Sequence, residues 1–190
     1  TGWGVTPAGQ WWCRKGNQDG VGVLWAGSGA NTPSRVQLEL IEDLQPTIWM
    51  GMPSYGLHLA NLAEEMGIDL AAGNVRKVIV GAEALSAAKR EKLERAWGAE
   101  VNDFFGMTEI GILGADSKVH EGFHIWTDHA LFEVVDEATG LPGPEGEEGL
   151  MAITPLFCNT STPFLRWSSG DIVRISNKTS LEGPFSVFPV

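Results

Sequence analysis

The sequence predicts an α/β protein: a parallel sheet with flanking helices, followed by a smaller, mainly antiparallel β subdomain. Three observations support this prediction. Between residues 53 and 105, apolar residues at helical spacing twice precede a short apolar run, which is typical of helix-then-strand passages. Consecutive passages of this kind form parallel sheets with right-handed crossovers. After residue 120, short apolar runs separated by turn residues are typical of antiparallel strands.

The composition is that of a folded, acidic protein. Of the 190 residues, 43% are hydrophobic and 19% charged, which is ordinary for a globular chain. The formal charge is 13 − 24 = −11, and nucleic-acid surfaces need many Lys and Arg side chains. No window approaches the ~18 apolar residues of a membrane span. We therefore expect neither a nucleic acid nor a membrane as a partner.

The first thirty residues are rich in Gly and Trp. Val21 to Trp25 is strand-like, and Trp3, Trp11 and Trp12 could be core, partner surface or pocket wall. Gly27-Ser28-Gly29 resembles part of a phosphate loop, but no Lys follows, which favours a turn. The start carries no Met and no signal-like run. The chain is therefore expected to begin inside a longer protein.

The two cysteines bear on location. Cys13 and Cys158 lie far apart in the sequence. So few cysteines favour a reduced, cytoplasmic context, with a disulfide as the alternative.

Helix boundaries can be predicted from turn and capping residues. Ser34 to Leu44 carries apolar residues on one helical face, and Pro46 ends it. The next two helices have a Ser as the expected N-cap and a Gly as the stop. The first begins at Pro53-Ser54, with Ser54 as the expected cap, and stops at Gly67; the second begins at Ser86 and is closed by Gly98.

The predicted strands alternate with these helices and continue beyond them. The first three are Thr47 to Met52, Val75 to Val80 and Glu100 to Phe105. The later extended segments are His124 to Asp136, Leu150 to Thr154, Phe164 to Trp167 and Ile172 to Ile175. We accordingly expect an α/β subdomain over residues 1–120, a β-rich subdomain over 121–176 and a tail over 177–190.

The stretch Val101 to Gly111 is the main candidate site. It reads as a strand ending in aromatics, a turn at Gly106, and then the neighbouring Thr108 and Glu109. An aromatic can cover a base, a hydroxyl can bond a phosphate, and a carboxylate can hold Mg²⁺. The loop Gly81-Ala82-Glu83 is expected at the same sheet edge. The alternative is an ordinary strand-to-loop junction with a solvated Thr and Glu.

A series of motifs, in order, resembles the adenylate-forming acyl-coenzyme A synthetases and, within them, the phenylacetate–coenzyme A ligase branch. The resemblance covers roughly Trp3 to Val173. The motifs are Gly29-Ala30-Asn31-Thr32, Pro46-Thr47, Pro53-Ser54-Tyr55, Ala63 to Ile68, Gly81-Ala82-Glu83, Asp103 to Glu109, Gly122 to Trp126 with Asp128-His129, Gly146 to Gly149, and Arg166 to Asp171.

This resemblance implies a two-step reaction. A carboxylate attacks the α-phosphate of ATP to give an acyl adenylate and pyrophosphate, and coenzyme A then displaces AMP to form a thioester. Thr108 would bond a phosphate oxygen and Glu109 would ligate Mg²⁺. Phe105 would cover the adenine, where the family usually has Tyr. The other nucleotide-binding residues implied are Gly81, Ala82, Glu83, Asp103, Phe104, Gly106, Met107 and, for the ribose hydroxyls, Asp171.

Two parts of the family pattern are missing from the sequence. The upstream phosphate loop with its Lys has no counterpart, and 190 − 171 = 19 residues after Asp171 cannot supply the small domain with the catalytic Lys. We therefore expect an internal piece of a larger ligase that lacks full activity alone. The alternatives are a non-catalytic nucleotide-binding or interaction module and, less in keeping with the Gly pattern, a methyltransferase-like enzyme. For Asp171 alone, a plain hairpin turn is also open.

The acid substrate is implied only as a class. The branch suggests phenylacetate or a related carboxylic acid, with Trp3, Tyr55, Ile110 and His124 near the substrate, while a core role for Tyr55 is equally open. His120, His124 and His129 suggest a metal site, and some relatives appear to bind zinc near here through a cysteine cluster. This sequence lacks cysteine between Asp103 and Trp126, so zinc is not expected. A homodimer is left open.

Overall fold

The computed structural model describes residues 16–24, 26, 32–144, 146–157, 162–179 and 186–188. The chain forms two compact units, Thr1–Asn102 and Asp103–Val190. The predictions for the N-terminal tryptophans, for Gly27-Ser28-Gly29 and for both cysteines lie outside the described residues. The division at residues 102 and 103 falls earlier than the change near residue 120 expected from composition, and the subdomain assignment stays a prediction.

The first unit contains the three predicted helices: α1 (Ser34–Leu44), α2 (Pro53–Met66) and α3 (Ala87–Trp97). The Ser86 hydroxyl accepts a hydrogen bond from the Lys89 amide at 3.3 Å, which confirms it as the N-cap of α3. The two predicted stops are confirmed, since both Gly67 and Gly98 have left-handed φ angles, 74° and 58°.

The predicted cap of α2 at Ser54 is wrong. The helix begins one residue earlier, with Met52 in the N-cap position and Pro53 at the first helical position. Proline suits that position because its fixed φ is helical and its missing N–H would have no partner there. Ser54 instead lies inside the first turn.

Strands β1 (Ile48–Gly51) and β2 (Lys77–Gly81) of the first unit are parallel, with Trp49 opposite Val78. The next strand in the sheet is β3 (Glu100–Met107), which begins where the Glu100 amide donates to the Arg76 carbonyl at 3.2 Å. The parallel sheet predicted for this part is thus present. The described residues of the predicted strand at Val21 form no strand; Val23 is half-buried and the other three are exposed.

The core of the first unit lies between the helices and these strands. Trp97 is fully buried, its indole nitrogen donates to the Gly56 carbonyl at 3.2 Å, and its ring lies 4.9 Å from that of Trp49. It therefore joins α3 to both α2 and β1. The other large buried side chains are Leu38, Leu59, Val78, Val80, Leu93 and Val101.

The second unit contains two antiparallel arrangements. In the first, β3 is followed by β4 (Gly111–Ala115), β5 (Phe123–Ile125), β10 (Ser186–Phe188) and β9 (Ser176–Thr179). The second is a separate sheet of β6 (Ala130–Val135), β7 (Glu148–Pro155) and β8 (Ile172–Arg174). The predicted antiparallel character is confirmed, although the sheet containing β3 is mixed because its later pairings are antiparallel.

Two segments of the second unit differ from the sequence predictions. Phe164 to Trp167 is not a strand, because only Trp167 forms a bridge, to Ile153. Part of the expected tail is structured, since β10 pairs with β5 through Val187 opposite His124. Strand pairing with a distant segment, rather than local pattern, determines both outcomes.

The polar loop that follows β6 is ordered by its first residue. The Asp136 carboxylate accepts hydrogen bonds from the Thr139 hydroxyl at 2.7 Å and the Thr139 amide at 2.8 Å. These two bonds, of which the one from the hydroxyl has the larger effect, hold the pKa of Asp136 below its usual value because they stabilise the charged form.

No helix within the described residues is both long and apolar enough to cross a membrane.

Candidate active site

Thr108 and Glu109 lie at the tip of the β3–β4 hairpin. The turn is closed by the Ile110 amide, which donates to the Met107 carbonyl at 3.3 Å. Both side chains are exposed, while the flanking Ile110 is buried in the core of the second unit. The hairpin thus presents a hydroxyl and a carboxylate to solvent from an anchored base. A carboxylate oxygen is the donor type that Mg²⁺ takes from proteins.

Gly106 is part of β3 and not the turn that the sequence predicted. A Cβ atom built there would lie 2.6 Å from the Gly111 carbonyl oxygen and 2.9 Å from the Ile112 Cα. The strand register shifts between Phe105 and Gly106, which brings the two backbones close. Glycine is therefore required by the approach of β4, and the turn begins two residues later.

Replacing Gly106 with alanine is expected to force β3 and β4 apart, because backbone atoms cannot yield as a flexible side chain would. Overpacking of this kind costs about 1–3 kcal/mol of unfolding free energy. Urea unfolding would measure the loss. Gly22→Ala is the control, since its Cβ would meet nothing within 4 Å. Equal stability of the two variants would contradict the close approach.

The neighbouring aromatic residues differ in exposure. Phe104 is buried, with 6% of its surface exposed, whereas Phe105 is half-buried and its ring centroid lies 5.9 Å from that of Phe123. Phe105 also packs against the core of the second unit. Of the two rings, Phe105 is the one with surface left for a ligand, as its predicted role as the adenine cover requires.

Asp116 is a residue that the sequence reasoning missed. Its buried carboxylate accepts a hydrogen bond from the Asp103 amide at 2.8 Å, and its own amide donates to the Asp103 carbonyl at 2.8 Å. The second carboxylate oxygen lies 2.8 Å from His120 Nδ1. Asp116 thereby holds the backbone of Asp103, the residue of β3 at which the motif Asp103 to Glu109 begins. An acid just beyond the apolar run of β4 was the available signal, but only strand pairing shows its partner.

The three histidines considered for zinc lie in different surroundings. His120 contacts Asp116, and the ring of His129 lies 4.0 Å from that of Phe157. His124 is half-buried on β5, opposite Ala115. Within the described ranges, no three His, Cys, Asp or Glu side chains are grouped as metal ligands would be.

The loop Gly81-Ala82-Glu83 follows β2 in the first unit. Gly81 is buried, and Ala82 has a left-handed φ of 66°, a conformation that costs a non-glycine residue about 1 kcal/mol. The Glu83 carboxylate accepts two hydrogen bonds from Ser54, one from the hydroxyl at 2.6 Å and one from the amide at 3.1 Å. This carboxylate therefore binds the first turn of α2.

Asp171 lies in a turn immediately before β8, in the second unit. Its exposed carboxylate accepts a hydrogen bond from the Ser169 hydroxyl, and its carbonyl accepts one from the Met151 amide at 2.9 Å. Gly170 has a left-handed φ of 93°. Trp167 before this segment and β8 after it both pair with β7, so the segment is a bend and not the turn of a hairpin. The bond to Met151 ties the Asp171 backbone to β7 and leaves the carboxylate at the surface.

The residues predicted near the acid substrate occupy unlike positions. Tyr55 is half-buried against the core of the first unit, and its hydroxyl lies 3.1 Å from the Ser34 hydroxyl. Ile110, only 6% exposed, is a core residue of the second unit. Trp3 lies outside the described residues.

The predicted site residues form one group in each unit. The hairpin brings Asp103 through Glu109 together in the second unit, and Glu83 of the loop Gly81-Ala82-Glu83 contacts Ser54 in the first.

The chain is similar in sequence to known proteins. The family described as AMP-binding enzyme matches residues 19–154. The phenylacetate-coenzyme A ligase of Pseudomonas putida is 35% identical over 151 residues, which are 78% of this chain and 34% of that protein. The corresponding ligase of Aromatoleum evansii is 33% identical over 156 residues, 80% of this chain and 35% of that protein.

Solved structures show the same likeness. The 2-hydroxyisobutyryl-CoA ligase in complex with 2-HIB-AMP and CoA, in the thioesterification state, matches 95% of this chain and 39% of its own with a TM-score of 0.86 and 25% identity. The chain spans about a third of the length of the curated relatives it matches. The similarity therefore concerns one continuous part of a longer kind of protein.

Proposed function

Because this chain belongs to the AMP-binding enzyme family, we propose that the protein it represents is an AMP-forming carboxylic acid–coenzyme A ligase. The similarity to phenylacetate-coenzyme A ligases over more than three quarters of the chain carries this proposal. In the first step a carboxylate oxygen bonds to the α-phosphorus of ATP and pyrophosphate leaves. In the second, the thiol sulfur of coenzyme A bonds to the acyl carbon and AMP leaves.

Thr108 and Glu109 are the proposed catalytic residues. The phosphorus centre gains negative charge on its oxygens during the first step, so a preorganised donor lowers the barrier. Thr108 donates its hydroxyl to a phosphate oxygen, and Glu109 is the proposed ligand of Mg²⁺. Magnesium, when bound, neutralises phosphate charge. The exposure of both side chains at a hairpin tip with a buried base supports these roles.

Nucleotide-binding roles are proposed for the residues of each unit by itself. In the first unit, the loop Gly81-Ala82-Glu83 is proposed to line the adenine. In the second, the half-buried ring of Phe105 is the proposed cover of the adenine face, and Asp103, Phe104, Gly106 and Met107 support that ring and the following turn. Asp171 accepts hydrogen bonds from the ribose hydroxyls, for which an ionised carboxylate has lone pairs in excess. The carboxylate of Asp171 is exposed at an ordered turn, which supports this role.

An aromatic acid such as phenylacetate is the proposed substrate class. The names of the relatives support it, and Tyr55 and His124 have surface for contact with a ligand. Ile110 is buried in the core of the second unit, so its proposed contribution is to support the neighbouring hairpin turn. Magnesium dependence and a cytoplasmic location are further predictions from the sequence and the resemblance.

Acid-dependent ATP–pyrophosphate exchange tests the first step. We expect the full-length protein to incorporate labelled pyrophosphate into ATP when a suitable acid from a panel of aryl and acyl carboxylates is present. Reactions without acid are the control, because reversal requires the acyl adenylate. Exchange with none of the acids would contradict the ligase assignment. Nucleotide binding without exchange would instead indicate a non-catalytic module of the same fold.

Replacing Asp171 with alanine is expected to weaken ATP binding by roughly 1–3 kcal/mol, since charge-assisted hydrogen bonds to the ribose would be lost. Isothermal titration with ATP on the full-length protein measures the change. Ser169→Ala is the matched control, because it removes the hydroxyl that contacts Asp171 but leaves the carboxylate. Unchanged ATP affinity in Asp171→Ala would exclude this residue from the site.

A further inference from the structure

The contact between Ser54 and Glu83 joins two motifs that lie 29 residues apart in sequence. Ser54 donates both its hydroxyl and its backbone amide to the same carboxylate, at 2.6 Å and 3.1 Å. One partner is in the first turn of α2 and the other is in the loop that follows β2. The contact therefore lies entirely within the first unit.

The first turn of α2 needs a partner from outside the helix. Its N-cap, Met52, makes no side-chain capping bond. The first amides of a helix have no intrahelical acceptor, and a negative charge is favoured at this end of the helix dipole. Glu83 supplies both the acceptor and the charge from another element.

The same contact restrains the loop. Gly81 ends β2 in a buried position, Ala82 has a φ of 66°, and Glu83 is held at Ser54. A left-handed alanine persists only where the surrounding structure holds it in place. The backbone of Gly81 and Ala82 is therefore restrained on one side by β2 and on the other by the bonds from Ser54 to the Glu83 carboxylate.

We propose that Ser54 is a positioning residue for the nucleotide: it holds Glu83, and through Glu83 it sets the backbone of Gly81 and Ala82 against which the adenine packs. This inference rests on the proposed ligase function. In this proposal Glu83 mainly holds the loop to α2, and its negative charge stabilises the N-terminus of that helix. Ser54 itself contacts neither ATP nor the acid.

Loss of the contact between Ser54 and Glu83 is expected to affect nucleotide binding more than turnover. In Ser54→Ala the hydroxyl bond disappears and the loop can leave its binding conformation. We expect the KM for ATP in acid-dependent exchange to rise about 10-fold with kcat within about 2-fold of wild type, the pattern of lost uniform binding. Ser54→Thr retains hydroxyl and amide and should restore most of the affinity.

Ser86→Ala is the matched control for helix stability. It also removes one serine hydroxyl bond at the N-terminus of a helix, but that bond goes to the Lys89 amide and not to Glu83. We expect Ser86→Ala to melt at a temperature close to that of Ser54→Ala while leaving the KM for ATP unchanged. The double variant Ser54→Ala with Glu83→Ala should be no worse than Glu83→Ala alone, because both changes break one contact.

The experiment distinguishes the positioning role of Ser54 from the ligase assignment of the whole protein. Exchange in wild type, with an unchanged KM for ATP in Ser54→Ala, would overturn the positioning role and leave the ligase assignment standing. A multiplicative effect of the two substitutions, or equal KM changes in Ser54→Ala and Ser86→Ala, would also overturn it. Absence of exchange in wild type with every acid tested would contradict the proposed function itself, and the positioning role with it.

Discussion

Glu109→Gln is expected to lower the rate of acid-dependent ATP–pyrophosphate exchange by about 100-fold, comparable to the loss of a preorganised group that stabilises transition-state charge. The substitution keeps the shape of the side chain and removes the charge that would hold Mg²⁺. Because Glu109 is exposed at the hairpin tip, the fold should be unaffected. Exchange rates measured across a Mg²⁺ titration should show a higher requirement for the metal.

Glu65→Gln is the control for this prediction. It makes the same change of charge at an exposed position of α2, so it separates a local effect from a change in net charge. A Glu109→Gln protein with a wild-type Mg²⁺ titration would refute the proposed metal role. Loss of the thermal transition in that variant would show that Glu109 is structural.

The largest expected effect on stability comes from Trp97→Ala, which should lower the free energy of unfolding by about 3–5 kcal/mol. Trp97 is fully buried, contacts Trp49 and donates its indole N–H to the Gly56 carbonyl. Its removal leaves a cavity where α3 meets α2 and β1. Because α2 carries Ser54, nucleotide affinity should fall as well. Urea unfolding followed by circular dichroism measures the stability.

Trp97→Phe separates packing from hydrogen bonding at the same position. It retains most of the buried ring but leaves the Gly56 carbonyl without its indole partner, so a loss of about 1–3 kcal/mol is expected. The order wild type, Trp97→Phe, Trp97→Ala should hold. A loss below about 1 kcal/mol in Trp97→Ala would contradict the central place of this residue in the core.

The elements of the first unit could be predicted because their signals are local. Apolar spacing and the stop residues Gly67 and Gly98 determine where the helices run and end, and the structure matches them closely. The N-terminus of α2 was missed because a serine and a proline both offered a start, and proline is favoured at the first helical position.

What sequence reasoning missed depends on contacts between distant residues. The sequence predicts a turn at Gly106 because glycine commonly marks one, whereas in the structure this glycine admits a neighbouring backbone. The partner of Asp116 and the bond from Ser54 to Glu83 depend on strand pairing and packing, which no local pattern predicts. The strand at Ser186 depends on pairing with β5, which cannot be read from its own three residues.

The residue types of Val101 to Gly111 indicate the candidate site, and the order of the motifs gives its residues specific roles. Thr108 and Glu109 are a hydroxyl beside a carboxylate in the sequence, and in the structure they are exposed side chains at the tip of the hairpin. Their chemical roles follow from the resemblance to the family and from elementary phosphate chemistry. Buried supporting groups, such as the Asp116 carboxylate that accepts a hydrogen bond from the Asp103 amide, are apparent only from the fold.

Isotope transfer during a complete turnover tests the ligase assignment most directly. The full-length protein would receive ATP, coenzyme A and an aromatic acid whose carboxylate oxygens carry a heavy isotope. If the carboxylate attacks the α-phosphorus, AMP must emerge with one labelled oxygen, together with equal amounts of thioester and pyrophosphate. Unlabelled AMP, or ADP and phosphate as the products, would contradict the mechanism.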